Sequence, residues 1–179
     1  MEHRTKGTDI VALRKIFKAR GDAADFEASL PPDLRRLYRE SLAFHWNPVT
    51  DQTALYRAAS EVLYPGDPDG LMRLGRDMAL HSYSTVYKIL LRLPTTQFVI
   101  AQAAKLWSAY FDRGRAAVEE VSPKGAVFVL RDYPELPADM RQIVRGNITA
   151  AAETTGVKGV RVRHEDADAR AWRWVIAWE

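Results

Sequence analysis

The chain has 179 residues, enough for one well-buried core. Its 26 Lys and Arg against 23 Asp and Glu leave a net charge of +3, too small a surplus to mark a nucleic-acid surface by itself. Cysteine is absent, which excludes disulfides, thiolate metal sites, iron–sulfur clusters and a cysteine nucleophile.

Residues 1–8 are charged and His3 is expected in a frayed terminus; neither a signal peptide nor a membrane span is expected, so the chain reads as cytoplasmic. Thr8 can cap a helix to about residue 20, with Ile10, Leu13 and Phe17 at helical spacing. A helical turn follows at 25–30. Pro31-Pro32-Asp33 then opens a helix to about residue 44, because proline's missing N–H costs nothing at a helix start. Thr50 or Asp51 caps the next helix, to about residue 64. Asp67 and Pro68 start a long one reaching about residue 93, and Thr95 or Thr96 caps another to about residue 112. Residues 70–112 carry the longest apolar periodicity and are the predicted core helices.

After Gly114 the period changes. Residues 116–121 and 126–130 flank a Pro-Gly turn and predict a hairpin. A helix follows from Pro137 to Gly156, with Met140, Ile143, Val144, Ile148 and Ala151 on its apolar stripe. A second hairpin pairs 158–165 with 171–178, where Trp172, Trp174, Ile176 and Trp178 share one face. Two hairpins separated by a helix predict an α+β fold: a helical part (about 8–112) packed on a four-stranded antiparallel sheet (about 115–178), within one domain spanning 1–179.

No catalytic constellation emerges. There is no Gly-x-Ser-x-Gly elbow and no glycine-rich phosphate loop, so no enzymatic activity is expected. His3, His45, His81 and His164 form no His-x-x-x-His pair, and no metal site is expected; a single axial histidine, His81, could still hold haem. Arg161, Arg163 and Arg173 lie opposite the sheet's aromatic face. Nucleic-acid sheets combine the two on one face, so no nucleic-acid partner is expected. The aromatics fit core, pocket or interface. A pocket between core helices and sheet would draw on Met78, Tyr83, Tyr87, Phe98 and Trp107. An interface would use Trp172, Trp174 and Trp178 of an edge strand.

Three stretches carry a resemblance: Leu63-Tyr64-Pro65-Gly66 with Leu74-Gly75-Arg76, then Ala103-Ala104-Lys105-Leu106-Trp107, and Val144-Arg145-Gly146 continuing into Thr155-Gly156-Val157-Lys158-Gly159. With them the chain resembles a paralogous, uncharacterised family of myxobacterial type, over about residues 30–178. That family is similar to 4-vinyl-reductase-type domains and, more distantly, to haem–nitric-oxide-binding domains and TRAPP trafficking subunits. The resemblance implies N-terminal helices on a C-terminal four-stranded sheet, a scaffold used for ligand capture and dimeric assembly. The cysteines that 4-vinyl-reductase-type domains place in the final hairpin are missing. The Tyr-x-Ser-x-Arg motif of haem–nitric-oxide domains is missing too, since Tyr83-Ser84-Thr85-Val86-Tyr87 has the wrong spacing and no arginine.

The resulting expectation is a non-enzymatic module, binding a small apolar ligand and acting in sensing or regulation, with no cofactor. The alternatives are a homodimeric scaffold that binds a protein partner through a fully packed fold, and a haem-based gas sensor using His81.

Overall fold

The computed structural model describes residues 2–90, 95–168 and 171–179, with side chains throughout except at 83–90 and 166–168. The chain opens with a three-residue strand, β1 (Arg4–Lys6), which pairs antiparallel with β2 (Trp46–Pro48). The amino terminus is therefore held rather than frayed: the Val49 N–H donates to the His3 carbonyl, and the His3 ring packs on Tyr133.

Between these strands lie α1 (Thr8–Arg20), α2 (Ala23–Ser29) and α3 (Pro32–Glu40). Two arginines tie their ends. Arg14 donates to the carbonyls of Tyr38, Arg39 and Ser41, satisfying the carboxyl end of α3. Arg35 does the same for α2 through Glu27, Ala28 and Leu30. These contacts engage cations that composition alone leaves available to a polyanion. The α3 helix stops at Glu40, short of the predicted residue 44.

Next come α4 (Val49–Leu63), α5 (Gly70–Leu90) and α6 (Thr96–Tyr110). Thr95 is the cap expected for α6, its hydroxyl accepting from the Phe98 N–H. In contrast α4 begins directly after Pro48 with no side-chain cap. Residues 91–93, the predicted end of α5, lie outside the described residues.

The carboxyl-terminal part is β3 (Arg115–Ser122), β4 (Gly125–Arg131), α7 (Ala138–Glu153), β5 (Arg161–Asp168) and β6 (Ala171–Ala177). The four long strands form one antiparallel sheet in the order β3-β4-β6-β5. The predicted α+β fold is the observed one. Phe128 pairs with Trp174, Leu130 with Trp172 and Val162 with Ile176, which puts these side chains on the face covered by helices. That face and the helices share one continuous hydrophobic cluster.

β6 is an inner strand, which corrects the edge-strand reading behind the expected interface. Trp174 is fully buried and Trp178 nearly so. Trp172 and Trp174 spend their indole N–H groups inside the chain, on the carbonyls of Tyr133 and Arg141. On the outer face, Val127 and Val129 are buried beneath charged neighbours: Arg131 pairs with Glu119, Arg173 with Glu119 and Glu120, and Arg163 with Glu165. Arg163 and Arg173, two of the three arginines expected opposite the aromatic face, are thus ion-paired.

Candidate functional site

The α6 helix carries Val99, Gln102, Ala103, Leu106, Trp107 and Tyr110 at intervals of three and four, so they form one stripe. This stripe does not close completely on its neighbours. A cavity of about 210 Å³, partly open to solvent, lies between it, the first turn of α1, Ala79 and Ser82 of α5, and Val144, Asn147 and Ile148 of α7. Phe111 and Phe128 complete the apolar wall. Trp107 stacks on Phe111 at 4.0 Å between ring centroids and donates its indole N–H to the Arg113 carbonyl, which fixes that wall.

Strand β1 forms the rim on one side. The Thr5 hydroxyl donates to the Tyr110 carbonyl, and Thr5 bridges to Phe111, tying the strand to the end of α6. Lys6 contributes to the lining, while its ammonium lies against the Phe44 carbonyl and over the Trp46 ring.

The polar end of the cavity is built by Asp9 and Asn147. Burial pushes the Asp9 carboxyl up from 3.8 to about 6, and a hydrogen bond with the Asn147 side chain pulls the other way. Asn147 keeps its amide oxygen buried without a hydrogen-bond partner. Behind Asp9, Tyr56 is fully buried and accepts from the Gln52 amide; burial, then the Asp9 charge, raise its phenol well above the ordinary range. Burial and Asp9 also raise Tyr110.

Of the residues expected to line a pocket, Trp107 does so. Met78 is wholly enclosed in the core instead, and Phe98 is 40% exposed on the far side of the α6 stripe. The side chains of Tyr83 and Tyr87 lie outside the described residues. His81, the expected axial ligand, is exposed and does not line the cavity, although its neighbour Ser82 does. His45 is exposed, accepting from the Leu42 N–H, and His164 packs against Trp172 and Trp174. Among the described residues no cluster of His, Asp and Glu could hold a metal ion, and no helix is long and apolar enough to cross a membrane.

Asp9 and Asn147 are absent from the sequence-based candidates. An acid in a first helical turn is ordinary, so Asp9 gives no warning. Asn147 does give one: it falls between Val144, Ile148 and Ala151 on the apolar stripe of α7, where a polar side chain needs a reason.

The overall fold is similar to those of solved H-NOX proteins. An H-NOX protein from S. oneidensis in its Fe(II)NO ligation state superposes with a TM-score of 0.69 at 10% identity, over 97% of this chain and 99% of the other. A structure solved to probe heme distortion in the H-NOX family gives 0.68 at 11% identity, over 97% and 95%. An oxygen-binding H-NOX domain related to soluble guanylate cyclases, in its oxygen complex, gives 0.61 at 12% identity, over 97% and 92%. At such identities the likeness is one of fold. No curated protein matches the sequence. Residues 33–179 match the family described as "Protein of unknown function (DUF2378)", and the chain belongs to that family.

Proposed function

We propose that this protein is a non-enzymatic ligand-binding module of sensory or regulatory type, whose guest occupies the cavity between α1, α6 and α7. One observation carries the reading: about 210 Å³ of cavity with a largely apolar wall into which Asp9 and Asn147 are set. An apolar cavity of about 150 Å³ already holds benzene, whereas drug-sized and cofactor sites begin near 300 Å³. The guest is therefore a compact molecule, not a large cofactor. The site shares Trp107 with the expected pocket, and Met78 and Phe98 are not among its lining.

Native mass spectrometry of freshly purified protein tests this reading. The account expects a retained small molecule, or one added apolar probe per chain, and an Ala103→Trp variant that carries neither. Protein that stays empty with every apolar probe would refute it.

The fold likeness favours a second guest, haem, because H-NOX relatives of this fold were studied for heme distortion. The described lining does not fit it. Haem iron takes His, Cys, Met or Tyr, and of these the described lining residues include Tyr110 alone, with its phenol raised by burial. Among the described lining residues no guanidinium is present to pair with propionates, and Asp9 would repel them. A Soret band after haem reconstitution, lost in His81→Ala, would favour the gas-sensor reading. A third reading, the homodimeric scaffold, draws on the exposed Leu42 and Phe44 between α3 and β2 and on Trp46 at the start of β2, whose ring lies under the Lys6 ammonium. Light scattering across a concentration series decides it.

A further inference from the structure

Resting on the reading of the cavity as a ligand site, we propose the class of its guest: an apolar molecule ending in a protonated amine. The Asp9 carboxylate is its counter-charge and the Asn147 amide oxygen a second acceptor.

At Asp9 and Asn147 the cavity wall presents a carboxylate and a buried amide oxygen with no hydrogen-bond partner. Asn147 spends its amide N–H on Asp9 and leaves its oxygen buried and unpartnered. A carboxylate and an amide oxygen side by side ask for a guest with several N–H donors, and an ammonium group carries three. A hydroxyl supplies one, and an anionic guest would meet Asp9 directly.

No side chain of the described lining neutralises Asp9. Lys6 is the cation of the lining, and its ammonium is committed to the Phe44 carbonyl and the Trp46 ring. The remaining wall is apolar or uncharged, including Ala79 and Ser82 of α5, Gln102 of α6 and Phe128 of β4. The positive end of α1 favours an anion in the first turn, so the carboxylate stays accessible near neutral pH without being satisfied. A carboxyl kept in such surroundings weakens the empty protein, which is the pattern of a group retained for binding rather than for folding.

The pH behaviour follows from the groups that face Asp9. Lys6 comes from β1, Tyr56 from α4, Tyr110 from α6 and Asn147 from α7; both phenols are raised and stay protonated. Asp9 is therefore the group facing the cavity that changes charge just below neutrality, at about 6.

Calorimetric titration of the full chain with hexylamine, 1-hexanol and hexanoate separates the claims. At pH 7.5 hexylamine should bind the wild type about ten- to a hundredfold more tightly than 1-hexanol, the range of a charge-assisted contact. Asp9→Asn should remove that preference by lowering hexylamine affinity, and its melting curve reports that it folds. Below pH about 6 the wild-type amine affinity should fall, approaching tenfold per pH unit. Equal affinity for amine and alcohol, tighter binding of hexanoate, or an amine preference that survives Asp9→Asn overturns the amine assignment and leaves the cavity reading standing. Binding of none of the three overturns both.

Discussion

Gly75 of α5 and Gly146 of α7 lie back to back where the two helices cross. A Cβ on Gly75 would overlap the backbone of Ile143, and one on Gly146 would run into the Met72 carbonyl and the Arg76 amide. Neither obstacle is a flexible side chain, so the helices would have to separate. Arg76 then closes the seam with an ion pair to Glu153 at 2.7 Å. Because α7 also supplies Asn147 to the cavity, this crossing sets how far the polar end stands from α5. Gly146→Ala should cost about 1–3 kcal/mol, the overpacking penalty outweighing alanine's better helix propensity. Urea denaturation measures it. A neutral or stabilising outcome would mean that the helices do not approach this closely.

Asp9 makes a prediction of unusual sign. Its carboxyl is about 6 in the folded chain against an ordinary 3.8, so the folded state holds the proton more tightly than the unfolded state. The carboxyl then costs nothing below about pH 4, its cost grows between 4 and 6, and the full penalty is present above 6. Asp9→Asn should accordingly raise stability by about 2–3 kcal/mol at pH 7.5 and by almost nothing at pH 3.5. Paired denaturation curves at the two pH values check this. A destabilised variant at pH 7.5 would show a carboxylate already satisfied within the fold.

Arg14 holds the end of α3 through three carbonyls, with N–O distances of 2.7–2.8 Å. Arg14→Ala should cost about 2 kcal/mol; Arg14→Lys should cost less because it keeps the charge, but still destabilise because an ammonium cannot span three acceptors in a fixed fork. Thermal melts of the two variants rank them. Full stability in Arg14→Lys would point to charge alone rather than to the guanidinium geometry.

The sheet tryptophans separate core from interface. Trp174 faces Phe128 at 5.8 Å between ring centroids and is fully buried within the chain. Trp174→Ala should lower stability by about 3–5 kcal/mol and leave the mass measured by light scattering unchanged at every concentration. A change in assembly state with unaltered stability would restore these residues to an interface.

These residues also show what sequence could reveal. The long helices and the sheet were legible because periods of 3.6 and 2 run through them for many residues, and the parity of Trp172, Trp174 and Trp178 correctly put them on one face. Parity could not say that β6 lies inside the sheet, since strand order depends on pairing across the chain. The β1–β2 pair carries no legible period because it has three residues on each side, and its antiparallel partners Arg4 and Pro48 lie 44 positions apart. The resemblance motifs led to the fold rather than to the site. Leu74-Gly75-Arg76 and Val144-Arg145-Gly146 meet at the helix crossing, and Tyr64 reaches Asp77 of α5 with its hydroxyl at 2.6 Å. The cavity itself is a space between helices and strands far apart in the chain, and no single segment announces it. Its one local trace was Asn147 on an apolar stripe.

The most direct test of the cavity as a ligand site is a two-dimensional amide NMR titration with hexylamine, read residue by residue. The account predicts saturable shifts confined to the first turn of α1, the Val99–Tyr110 face of α6 and the Val144–Ile148 turn of α7, abolished by filling the space with Ala103→Trp. Shifts that never saturate, or that map to the ion-paired outer face of the sheet, would contradict it.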